Sequence, residues 1–199
     1  MFDCAEGTQL QLQRSQLKIG QVERIFITHM HADHTLGLIP LLGSLISGIQ
    51  STPEERQAIA ARGTQKKAKI NIYGPPGLRL MLRQMLNLTA MTLGDVYAVH
   101  ELIPAPVDPS DTSLASTSPN GQGNSPSCRC EASDLQAAEA VGQNIEADKD
   151  GCWRDIITQA EHPVSSLQGR TSTSESDASN GLPSKVWRVD VGPIKHRGK

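Results

Sequence analysis

The stretch Thr28-His29-Met30-His31-Ala32-Asp33-His34 constrains this chain more than any other. Three histidines and an aspartate fall within the six residues His29–His34, after the apolar run Val22–Ile27 and before a second, Leu36–Ile49. Imidazole nitrogen and carboxylate oxygen are the donors that divalent transition metals take in hydrolytic sites. The β-branched, apolar residues before the cluster predict a buried strand over Val22–Thr28. Leu36, Ile39, Leu42, Leu45, Ile46 and Ile49 recur at steps of three and four, which predicts a core-facing helix over Thr35–Ile49 with Pro40 in its first turn. The donors are therefore expected at a strand end, with Asp33 and His34 in the loop that leads to the helix.

His29 and His31, at alternate positions, can face one side of a strand-end turn and grip one ion, while Asp33 and His34 grip a second. Two ions about 4 Å apart can clamp the attacking and leaving oxygens of a phosphodiester around a bridging hydroxide. Asp33 can both ligate and orient the proton of the attacking water. Zinc suits imidazole-rich sites best, and manganese or iron are compatible with the same donors. Each ion needs roughly three or four protein ligands. The loop supplies four in all, and His196 is the candidate fifth. His100 sits within an expected strand and reads as a structural polar residue. His162 follows an acidic stretch and reads as solvated. No substrate-binding residue is singled out. Lys66, Lys67 and Lys69 suit phosphate contacts, but a lysine run also serves simply as a solvated face.

Phe2–Thr8 reads as a strand end turning at Gly7, followed by a short helix within Gln9–Ile19. An abrupt start of this kind implies a further strand upstream. Thr52-Pro53-Glu54-Glu55 has the form of a helix start, with the helix running to Arg62 and stopping at Gly63. Lys69–Tyr73 predicts a strand and Gly74–Gly77 a turn. Leu78–Leu88 predicts a helix buried through Leu78, Met81, Leu82, Met85 and Leu86, and Tyr97–Ile103 an alternating strand. This β-α-β-α-β order marks a layered α/β fold over residues 1–103. Ser, Pro, Gly, Asn and Asp dominate residues 104–184, which predicts a low-complexity flexible arm or insertion. Within it a short helix is expected around Ala132–Val141 and an ordered patch at Gly151–Ile157, anchored by Trp153. Residues 185–199 complete the division, with a returning strand over Val186–Ile194.

Of the 199 residues only 37% are hydrophobic and 3% aromatic, too few for one core spanning the whole length, and the shortfall lies in the middle of the chain. A net charge of −2 excludes a global basic field for nucleic acid, so any such contact uses local patches. Cys128-Arg129-Cys130 lacks the spacing of a zinc knuckle. With Cys4 and Cys152 it reads as free thiols in a reducing compartment. With no leader peptide and no uninterrupted membrane span, the expected location is intracellular, undecided between nucleus, cytoplasm and mitochondrion, with no membrane partner.

The residues also resemble a known family. The H-x-H-x-D-H loop resembles the signature of the metallo-β-lactamase superfamily. Phe2-Asp3-Cys4-Ala5-Glu6-Gly7-Thr8-Gln9 is similar to the F-D-C-G-E-G-T-Q segment of the ribonuclease Z family of tRNA 3′-processing endonucleases, with Ala5 in place of glycine. Ile25–His34 with Gly37-Leu38, Ile70–Gly77, Tyr97–Leu102 and Gly192–Arg197 resemble further segments of that family. The resemblance implies an αββα sandwich, present here in its N-terminal part, and zinc-dependent removal of the 3′ trailer of precursor tRNA. It implies one zinc on His29, His31 and His196 and a second on Asp33 and His34, with Asp33 also positioning the attacking water. It also implies a homodimer, and an arm that grips the tRNA body where 104–184 lies. The family's later bridging aspartate and last histidine have no counterpart, so the expectation is an incomplete form with little or no nuclease activity by itself. Two other readings compete: a thioester or lactone hydrolase of the same superfamily, and a non-catalytic remnant.

Overall fold

The computed structural model describes residues 1–46, 52, 54, 68–105, 135–161 and 188–193. Five strands form one sheet: β1 (Arg24–Phe26), β2 (Ile70–Gly74), β3 (Tyr97–Ile103), β4 (Glu139–Ala140) and β5 (Asn144–Glu146). All pair in parallel. β2 lies between β1 and β3, and β4 and β5 both pair with β3. Parallel pairing needs crossovers, and crossover helices cover the faces of such a sheet. Accordingly β2 is buried at all five positions and β3 at its first six. The alternating pattern expected over Tyr97–Ile103 is thus not a one-sided strand, because its polar members His100 and Glu101 are buried with the rest.

One face of the sheet presents Ile25, Ile70, Ile72 and Val99 to the helices α3 (Leu38–Leu45) and α4 (Leu78–Leu88). Pro40 lies in the first turn of α3, as its missing N–H requires. The other face packs Tyr73, Leu102 and Ile145 against α5 (Ile156–Glu161), with Trp153, Val189 and Val191 alongside. Before the sheet, α1 (Thr8–Arg14) and a 3-10 turn (Ile19–Gln21) lead the chain from Phe2–Asp3 to β1.

The patch around Trp153 is ordered as expected. Its indole N–H donates to the Ile103 carbonyl at 3.0 Å, and its backbone forms an antiparallel bridge with Val191. That bridge is what the described residues retain of the returning strand expected over Val186–Ile194. The helix expected around Ala132–Val141 is overturned: Glu139–Ala140 is β4, in register with Tyr97 and Ala98. The small apolar residues there suit either state, and the tertiary partner decides: Arg83 on α4 grips the Glu139 carboxylate at 2.7 and 3.0 Å. Residues 135–161, inside the stretch expected to be a flexible arm, thus supply two strands and a helix to the sheet and its cover. Residues 106–134 and 162–184 of that stretch, the body of the helix expected to continue to Arg62, and Lys66, Lys67, Cys128, Cys130, His162 and His196 lie outside the described residues.

Between β4 and β5 the chain steps past β3 at Gly142. A Cβ there would overlap the Val99 carbonyl, so only glycine permits the approach. On α4, Leu78, Leu82 and Leu86 are buried as the spacing predicts, but Arg79 and Arg83 are buried with them. Arg79 pairs with Glu101 at 3.2 Å, and Glu101 Oε1 also accepts the N–H groups of Gly77 and Arg79 at 3.0 Å each. A strand side chain therefore satisfies donors at the start of the neighbouring helix. Arg24 on β1 and Tyr73 on β2 both meet Glu161 of α5, at 2.6 and 2.9 Å.

Candidate metal centre

Ile27 N–H donates to the Tyr73 carbonyl at 2.7 Å, the last sheet bond before the donor loop leaves β1. Asp33 and His34 are not in a loop, as the sequence suggested, but in a one-turn helix, α2 (Ala32–Thr35). Thr35 closes that turn, its hydroxyl donating to the His31 carbonyl at 3.0 Å. The segment Asp3–Ala5 is laid across the turn. Cys4 N–H donates to the His34 carbonyl at 2.8 Å, and Gly37 N–H donates to the Cys4 carbonyl at 2.9 Å. Gly37 sits so close to Ala5 that a Cβ would overlap the Ala5 carbonyl.

The loop gathers its donors in pairs. His29 Nε2 lies 3.1 Å from His31 Nδ1, with the rings edge to face. His34 Nε2 lies 3.4 Å from Asp33 Oδ2. Two donors on one tetrahedral zinc, each bonded at about 2.0–2.1 Å, stand about 3.3–3.4 Å apart. Both pairs, at 3.1 and 3.4 Å, lie close to that spacing and have the donor chemistry of zinc ligands. Asp33 remains 77% exposed, with room for a further group at its carboxylate. Among the described residues no group of three or more His, Cys, Asp or Glu side chains is arranged to hold a metal ion as it stands. His196, the candidate fifth ligand, lies outside the described residues, and His100 is remote in role. The His100 ring is buried in the sheet with Nε2 on Asn71 Oδ1 at 3.1 Å and Nδ1 accepting the Gln143 N–H at 3.0 Å.

Asp3 is the residue that the sequence reading missed. Its Oδ2 lies 2.8 Å from His34 Nδ1, and its Oδ1 accepts the Thr28 N–H at 2.8 Å. The Thr28 hydroxyl reaches both of its oxygens at 3.0 Å. Burial by itself would raise the Asp3 pKa. The hydrogen bonds from the Thr28 backbone, the His34 ring and the Thr28 hydroxyl outweigh it and hold the carboxyl below its ordinary range. A carboxylate on the far nitrogen of a ligating histidine fixes the ring and its tautomer. The signal was present in the sequence as an aspartate at a predicted strand end, but its contact with residue 34 spans the fold.

The chain is similar to known proteins. The family model described as the metallo-beta-lactamase superfamily matches residues 1–86. The zinc phosphodiesterase ELAC protein 1 of Bos taurus is 35% identical over 163 residues, covering 81% of this chain and 35% of that protein. The ribonuclease Z of a Picosynechococcus species is 42% identical over 104 residues, covering 52% of this chain and 28% of its own length. A crystal structure of the short form of human tRNase Z aligns with a TM-score of 0.45 and 32% identity, over 77% of this chain and 41% of that one. The chain thus spans about a third or less of the length of these curated relatives. The match to the metallo-beta-lactamase superfamily thus spans the part of the chain that carries the donor loop, and the proteins it is similar to carry the names ribonuclease Z and zinc phosphodiesterase ELAC protein 1.

Proposed function

We propose that this chain carries the zinc-binding loop of an endoribonuclease that removes the 3′ trailer of precursor tRNA. The observation that supports it best is the pairing of donors: His29 with His31 and Asp33 with His34, each at ligand-to-ligand spacing, in a chain whose relatives are named for that activity. In this reading His29 and His31, joined by His196, hold one zinc, and Asp33 and His34 hold a second. Zinc bound there supplies Lewis acidity and lowers the pKa of water to near 7. Asp33, whose side chain is largely exposed, orients the attacking water and takes up its proton. Asp3 keeps the His34 ring aimed at Asp33. The partner is precursor tRNA, the assembly a homodimer and the setting intracellular.

The test is hydrolysis of a 3′-extended precursor tRNA, set against a thioester, by the zinc-loaded full-length protein that carries this loop. Zinc-dependent cleavage just 3′ of the discriminator nucleotide, lost in His29→Ala, carries the proposal, and thioester turnover in its place overturns it. A second reading, a metal-binding remnant without turnover, draws on the absence of any three converging donors among the described residues. Zinc binding with neither substrate cleaved would favour it.

A further inference from the structure

Thr28 is placed so that one hydroxyl touches three groups of the centre. Its Oγ1 lies 3.0 Å from both oxygens of Asp3, 3.0 Å from His29 Nδ1 and 3.5 Å from His34 Nδ1. A hydroxyl has one proton to give, and an ionised carboxylate can only accept. Asp3 takes the Thr28 N–H on Oδ1 and faces His34 Nδ1 with Oδ2, so both of its oxygens stand as acceptors. The Thr28 proton therefore goes to Asp3, and the hydroxyl faces His29 with a lone pair. His29 can meet it only with Nδ1–H. A neutral imidazole that protonates Nδ1 has its lone pair on Nε2, the atom turned towards His31. Asp3 also acts directly on the second pair: its Oδ2 accepts from His34 Nδ1, which leaves Nε2 as the ring nitrogen beside Asp33.

We propose that Thr28, with its hydroxyl oriented by Asp3, is a positioning residue that locks His29 in the Nδ1–H tautomer, and that one carboxylate thereby sets the ring state of a histidine in each donor pair. The inference rests on the proposed function for the importance of Nε2 as a metal donor. The tautomer itself is a property of the metal-free chain. Thr28 makes no contact with a reacting group in this scheme and acts only through His29.

The experiment is a long-range proton–nitrogen correlation spectrum of the full 199-residue chain, stripped of metal with a chelator, for wild type, Thr28→Val and Thr28→Ser. Wild type and Thr28→Ser are expected to show His29 as Nδ1–H. Thr28→Val, which keeps the shape and the backbone N–H to Asp3, is expected to shift His29 to Nε2–H or to a mixture. Zinc affinity, measured by competition with a chromophoric chelator, should fall about 10–100-fold in Thr28→Val and return in Thr28→Ser. A wild-type His29 found as Nε2–H overturns the inference without recourse to any variant, as does a folded Thr28→Val that keeps His29 as Nδ1–H. If wild type has the assigned tautomer and Thr28→Val shifts it, but zinc does not bind wild type, the inference stands and the proposed function falls.

Discussion

The Arg79 guanidinium on α4 and the Glu101 carboxylate on β3 meet at 3.2 Å with both side chains almost wholly out of solvent. Removing one member of such a pair strands the other charge in the interior, at a cost of about 3–5 kcal/mol. Glu101→Ala is expected to destabilise by that order, because it also orphans the N–H groups of Gly77 and Arg79. The double variant Arg79→Met/Glu101→Leu should lose distinctly less. Urea unfolding of the three proteins measures the difference, and equal losses in the single and double variants would remove the pair as the cause.

His100 gives the fold a dependence on acid. Burial lowers its pKa from the ordinary 6.5 to about 4; the Arg79 charge adds to that effect and Glu161 opposes it. The folded pKa lies below the unfolded one, so the unfolded chain takes up the proton first as pH falls. The contribution is fully present above pH 6.5, declines between 6.5 and about 4, and is absent below, with a total of at most about 3 kcal/mol. Its geometry agrees: a protonated ring would set Nδ1–H against the Gln143 N–H that it now accepts. In His100→Asn the slope of stability between pH 4 and 6.5 should flatten, measured by denaturant midpoints at each pH.

Gly37→Ala should disturb the metal loop without touching a donor. The added methyl runs into the Ala5 carbonyl, and relief requires Asp3–Ala5 to lift from α2. Overpacking of this kind costs about 1–3 kcal/mol. The expected result is lower thermal stability together with weaker zinc binding, by calorimetry and chelator competition. Unchanged zinc affinity would show that the clamp does not organise the donors.

Zinc added to the metal-free protein should raise its unfolding midpoint by mass action, about 2.7 kcal/mol at a hundredfold excess over the dissociation constant. Chelator should reverse the effect, and His29→Ala with His31→Ala should abolish most of it. Calorimetric scans at graded zinc concentrations read it directly.

Cys4 is wholly buried, and burial, opposed by a hydrogen bond with Thr8 and aided by the Asp3 charge, pushes its thiol pKa up to about 11. Iodoacetamide at pH 8 should therefore label half-buried Cys152 before Cys4 in the native chain, with peptide mass spectrometry locating the adduct.

The parts of this structure that are local in the chain were legible in its sequence. The β-branched run at Ile25–Ile27, the α4 stripe of Leu78, Leu82 and Leu86, and the clustering of His29, His31, Asp33 and His34 all follow from spacing alone. What escaped is non-local. Arg79 and Arg83 fall outside the apolar stripe that the spacing picks out, and nothing near them in sequence announces Glu101 and Glu139 as partners. Asp3 is distant from His34 along the chain and adjacent to it only once the first residues cross α2. Glu139–Ala140 has no strand signal of its own, and its state is imposed by the exposed edge of β3. The helical state of Asp33 and His34 rests on a single turn, closed by the Leu36 N–H on the Ala32 carbonyl and the Thr35 hydroxyl on the His31 carbonyl, too short for periodicity to reveal.

The step at Gly142 divides the last edge of the sheet into two pairing runs, one at Tyr97–Ala98 and one at Glu101–Ile103. Each is too short to hold itself, so each depends on what is pinned to it from outside: Arg83 for the first, the Trp153 indole on Ile103 beside the second. The edge should therefore behave as two hinged leaves rather than one cooperative strand. Native-state hydrogen exchange would find them opening independently and well before β2, each at a free energy set by its own pin.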